Sequence, residues 1–122
     1  METIKKGASQ INLDHLYELA SGDKDFVREM IEYYLAQMPT VLKDLDQHRL
    51  QKEWQELGEL AHKAKSSFKF MGIQELTNYA KTLEDVCRAQ PDEKQVEQLV
   101  GSIHVLTASS SEELQQALSK LD

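Results

Sequence analysis

Among the four histidines, His62 stands in the one setting suited to chemistry. The surrounding stretch, Trp54 to Gly72, is spaced as a helix. With His62 at azimuth zero and about 100° per residue, Leu57, Leu60, Ala64, Phe68 and Met71 fall between roughly 160° and 240°. That face is directed into a core, and His62 is expected to point away from it. Gly58 and Ser66 then lie within about 40° of the imidazole, Lys69 about 20° away, Lys65 about 60° away and Lys63 about 100° to the side. From His62 to Gly72 there are three lysines and no acid, on a chain of net charge −7. Gly58 costs roughly 1 kcal/mol relative to alanine in a helix interior, which calls for a reason such as close approach by another surface.

An exposed imidazole flanked by small residues and ammonium groups suits nucleophilic attack on a phosphoryl group. The ring is a competent nucleophile near neutral pH, and the lysines meet the incoming charge as point charges. No base, metal set or nucleotide loop accompanies it, so the remaining parts would come from a partner. His15, His48 and His104 lack such neighbours and read as surface or partly buried structural residues. Glu59 to His62 also spells Glu-x-x-His, the spacing that places two metal ligands on one helix of a di-metal carboxylate bundle. Such sites need a second copy. The positions three before the other histidines are Asn12, Leu45 and Gly101, so no second copy exists. A third reading is a non-catalytic helical-bundle adaptor, in which the lysines only solvate a helix face.

The elements that must position His62 are helical. Gly and Pro are scarce, at five and two in 122 residues, and no window alternates with period two. Asn12 caps a short helix that ends before Gly22, and Asp23 caps the next. Val27, Met30, Ile31, Tyr34, Met38, Val41, Leu42 and Leu45 keep one phase through Pro39, predicting one kinked helix from about Lys24 to His48. Helices follow over about Lys52 to Phe70 and about Gln74 to Ala89. The last, capped by Asp92 with Gln95, continues through Ser109-Ser110-Ser111 to about Leu121. The expected fold is all-α: an up-and-down antiparallel four-helix bundle with a short additional N-terminal helix. Residues 1–122 read as a single domain, with 1–10 a loosely ordered N-terminal segment. Trp54, Phe68 and Phe70 read as core or bundle-rim packing.

Composition sets the surroundings. Twenty-one acidic against 14 basic residues argue against general nucleic-acid or anionic-membrane binding, which need cations to replace counterions. Cys87 is a lone cysteine, fitting a reducing compartment, and no signal peptide or long apolar run is present, so the expectation is cytoplasmic. Met1 and an ending just past the last predicted helix fit a free-standing protein.

The stretch Ala61-His62-Lys63-Ala64-Lys65-Ser66-Ser67, followed by Gly72, resembles the core motif of the histidine-containing phosphotransfer (HPt) domain family of two-component phosphorelays, approximately His-x-Leu-Lys-Gly-Ser. The similarity extends to Leu19-Ala20-Ser21-Gly22-Asp23, to the position of Pro39 and to Leu83-Glu84, covering about residues 11 to 121. The resemblance implies that His62 is the phosphorylated nucleophile and Lys65 the cation that stabilises the phosphate. Gly58, Glu59, Lys63, Ser66 and Lys69 would then be docking residues. It implies receiver domains of hybrid histidine kinases and response regulators as partners, no kinase activity, a monomer, and no cofactor of its own, with Mg²⁺ on the receiver. Two residues depart from the motif. Ala64 in place of Leu leaves core volume for Phe68 or Phe70 to fill. Ser66 in place of Gly either narrows partner choice and slows transfer or offers the phosphate a hydroxyl.

Overall fold

The computed structural model describes residues 11–121; the expectation for residues 1–10 lies outside them. Five helices account for nearly all of it: α1 (Asp14–Leu19), α2 (Lys24–Leu50), α3 (Trp54–Phe70), α4 (Gln74–Arg88) and α5 (Glu93–Ser119). No strand occurs among the described residues. The fold is the all-α bundle expected from the periodicity, with the short helix leading it. In the bundle α2 packs on α3 and α5, α4 packs on α3 and α5, and α1 lies against α2. No helix among the described residues is long and apolar enough to cross a membrane.

The helix ends follow from local chemistry. Asp23 accepts hydrogen bonds from the Asp25 and Phe26 amides at the start of α2, and Asp92 accepts from Lys94 at the start of α5. Each satisfies an amide that has no partner within its helix. Three helices close with paired bonds around a left-handed residue. After α1 these run from Ser21 to Glu18 and from Gly22 to Tyr17, and after α2 from Lys52 to Arg49 and from Glu53 to His48. After α3 they run from Gly72 to Lys69 and from Ile73 to Phe68. The positive φ of 57° at Lys52 belongs to the α2 closure, which is why α3 starts at Trp54 and not at Lys52. Gly72 combines a φ of 69° with a neighbour that leaves no room for a side chain, since a Cβ there would collide with the Asn12 carbonyl.

The two long helices are continuous, as their apolar phase predicts. α2 runs unbroken through Pro39, which is exposed, so the hydrogen bond it cannot donate is lost on the outer side of the helix. α5 is continuous through its serines, and the Ser109 and Ser110 hydroxyls donate back to the carbonyls of Leu106 and Thr107.

The core joins Ile31, Tyr34 and Met38 of α2, Leu57, Ala61 and Phe68 of α3, Leu76 and Leu83 of α4, and Val100, Ile103 and Leu106 of α5. One turn beyond Ala64, Phe68 is fully buried and edge-on to the Tyr34 ring at a centroid distance of 6.3 Å. Trp54 and Phe70 pack against the core from its margin.

Candidate functional site

The buried residues of α3 are Leu57, Gly58, Ala61, Ala64 and Phe68. With the buried Met71 that closes the helix, their mean azimuth is about 235° from His62, whereas the periodic apolar set centres at about 200°. α3 is therefore turned so that its small residues face α4, and His62 sits on the flank nearest α4 instead of diametrically opposite the core. Leu60, expected inside, is only half-buried.

This rotation brings His62 to a carboxylate. Nδ1 of His62 lies 2.9 Å from Oε2 of Glu84 on α4, while Lys65 Nζ donates to Oε1 of the same carboxylate at 2.9 Å. Arg88, one turn further along α4, places Nη1 2.8 Å from Oε2. The Glu84 side chain is 6% exposed and that of His62 54%, so a buried acid holds the base of an imidazole whose other edge faces solvent. Burial pushes the Glu84 carboxyl up. Hydrogen bonds from Lys65 and His62, with the charges of Lys65 and Arg88, outweigh burial and hold it below its ordinary value. The carboxylate is thus ionised at neutral pH and can only accept, so His62 donates Nδ1–H to it and presents the Nε2 lone pair outward.

The sequence-derived site residues fall into two groups. Glu59, Lys63, Ser66 and Lys69 are exposed along the His62 side of α3. Ser66 lines an apolar groove of about 330 Å³ between α2 and α3, together with Met30, Tyr33, Met38 and Phe70. Gly58 and Lys65 are placed differently from expectation. Gly58 is buried against Cys87 of α4, so the close approach it permits is by its own neighbouring helix and not by a docking partner. The Lys65 ammonium is engaged by Glu84, which brings it to the imidazole as part of a network. The stretch is free of acid along α3 but not in space, because Glu84 enters from α4.

Residues 29–122 match the Hpt domain family. The chain belongs to that family. No curated protein and no solved structure was matched. Hpt domains serve two-component systems as phosphotransfer intermediates, not as kinases, and interact there with receiver domains. No group of three or more His, Cys, Asp or Glu residues among those described is arranged to hold a metal ion.

Two members of the site of this Hpt domain carry no role in the motif reading. Glu84 was visible only as part of the Leu83-Glu84 likeness, and its link to His62 depends on the rotation of α3. Arg88 had a signal, the Glu-x-x-x-Arg spacing that brings opposite charges together on one helix face. The other histidines have structural partners: His48 pairs with Glu53 at 2.7 Å, His104 with Asp46 at 3.0 Å, and His15 stands edge-on to Phe70.

Proposed function

We propose that this Hpt domain is a phosphorelay intermediate in which His62 accepts a phosphoryl group from an aspartyl phosphate on one receiver domain and passes it to an aspartate on another. The observation that carries this reading is the exposed imidazole whose Nδ1 is held by the buried, ionised Glu84. The donor would be the receiver of a hybrid histidine kinase and the acceptor a response regulator, with the Hpt domain acting as a monomer in the cytoplasm.

The chemistry follows from that arrangement. The Nε2 lone pair attacks phosphorus in line, the bond from phosphorus to the aspartyl oxygen breaks, and the carboxylate leaves with the electron pair. The proton on Nδ1 stays where it is, so no general base is needed. The ring becomes cationic as the N–P bond forms, and Glu84 balances that charge while keeping the tautomer fixed. Onward transfer reverses the sequence with a second carboxylate as nucleophile. Lys65 and Arg88 are gathered by Glu84 on the Nδ1 side of the ring, adding two cations to the network behind the imidazole, with Lys69 one further turn along α3. Mg²⁺ and an acidic pocket belong to the receiver. The groove beside Ser66 offers apolar surface for docking, and the surrounding charges act mainly on the rate of encounter.

The test mixes the protein with a phosphorylated receiver and Mg²⁺ and follows the label. An acid-labile, base-stable phosphoprotein that discharges onto a second receiver supports the reading, and a chain that never acquires label overturns it.

A further inference from the structure

Gly58 lies one turn before His62 on α3 and is buried against α4. A Cβ added there would stand 3.2 Å from Cys87 Cβ, 3.8 Å from Arg88 Cγ and 3.9 Å from the Glu84 carbonyl oxygen. All three neighbours belong to one turn of α4, the turn that carries both Glu84 and Arg88 to the imidazole. Arg88 Cγ can swing aside. Cys87 Cβ cannot, because it is attached directly to the α4 backbone, so a side chain at 58 is accommodated only by moving that turn of α4 a few tenths of an ångström. Glycine is a poor choice for a helix interior, and alanine would serve α3 better. What alanine would disturb is the separation across which Glu84 reaches Nδ1.

We propose that Gly58 is a positioning residue: its missing side chain sets the α3–α4 separation at which Glu84 holds Nδ1 of His62, and through that contact keeps Nε2 outward and reactive. Its effect on transfer rests on the phosphorelay reading. Its effect on the ring does not, since the His62 tautomer exists in the unphosphorylated protein. Small displacements matter here because a reacting group misplaced by about 1 Å can cost on the order of 100-fold in rate.

The experiment compares wild type with Gly58→Ala by circular dichroism, ¹⁵N spectroscopy of His62 and receiver-to-Hpt transfer kinetics. Gly58→Ala is expected to fold, to lose part of the Nδ1–H population, and to transfer roughly three- to tenfold more slowly, with the concentration dependence on receiver unchanged. Removing the opposing Cβ in Gly58→Ala/Cys87→Gly should restore both signatures, whereas Gly58→Ala/Cys87→Ala, which keeps that Cβ, should not. In a Glu84→Ala background, where no side-chain acceptor reaches Nδ1, the alanine at 58 should add no further loss, because the path through position 84 is already broken. A Gly58→Ala protein with the wild-type ¹⁵N signature and rate, or an equal slowing in the Glu84→Ala background, overturns the proposal. So does a variant that loses its fold with and without Cys87→Gly, which would assign Gly58 to folding alone. If wild type takes no label from any receiver, the phosphorelay reading fails while the ¹⁵N comparison still decides the role of Gly58.

Discussion

Glu84 Oε2 lies 2.9 Å from Nδ1 of His62, across the seam between α3 and α4, and this pairing determines which ring nitrogen is free to react. The carboxylate is almost fully buried and takes three partners, His62, Lys65 and Arg88, on its two oxygens. Lys65 and Arg88 lose their ion pairs if the charge on Glu84 is removed.

Replacing Glu84 with Gln keeps the shape and removes the charge. An amide can accept from Nδ1 but no longer balances the cation that grows on the ring. Transfer to His62 should fall about tenfold or more, with helicity unchanged by circular dichroism. Wild-type transfer kinetics in Glu84→Gln would remove the carboxylate from the mechanism.

The same group sets a pH dependence. The Glu84 carboxyl is held below its ordinary value near 4.5, so the unfolded chain takes up that proton before the folded one does. Its contribution to stability is complete above about pH 5, declines as pH falls through 4.5, and is gone below the folded-state value. Thermal melts from pH 7 to pH 3 should therefore show wild type losing its advantage over Glu84→Gln on the acid side. A stability difference that stays constant across that range would contradict the assignment.

Tyr34 carries a buried hydroxyl with no hydrogen-bond partner among the described residues, and burial pushes its phenol far above the usual range. Phenylalanine retains the ring and its edge-on packing against Phe68. Tyr34→Phe should melt at the same temperature as wild type or higher, with a stability change within about 1 kcal/mol. A loss above about 2 kcal/mol would show that the hydroxyl has a partner after all.

Gly72 should not tolerate a side chain. Its left-handed φ alone costs an L-residue roughly 1–2 kcal/mol, and the collision with the Asn12 carbonyl adds to that. Gly72→Ala should lower the denaturation midpoint by more than about 2 kcal/mol of stability while leaving the transfer rate of the folded fraction intact. An unperturbed midpoint would mean that the α3–α4 turn can adopt another closure.

Much of the fold was legible because amphipathic spacing and capping are local. Asp23 and Asp92 cap the helices they precede, and the apolar phase across Pro39 correctly marked one helix. Lys52 was read as helical because a left-handed lysine leaves no trace in composition. For the site, the α3 pattern exposed His62 and its lysines but not what lies behind them. The face that α3 buries is decided by how closely α4 can approach: with Gly58 and Ala61 buried and Leu60 only half-buried, that face lies about 35° from the apolar average. Spacing treats glycine as polar-side filler, whereas packing uses it for contact, so Gly58 was assigned to the outer surface. Glu84 and Arg88 come from another helix, and no periodicity within α3 can reveal them.

The central claim is that Nε2 of His62 is the phosphoryl acceptor. The direct measurement is to phosphorylate ¹⁵N-histidine-labelled protein with a receiver-phosphate donor and read the N–P coupling. The result expected is one phosphohistidine, bonded through Nε2 of His62, absent from His62→Gln, with Nδ1 still protonated. Label on His62→Gln equal to that on wild type, or a bond through Nδ1, would contradict it.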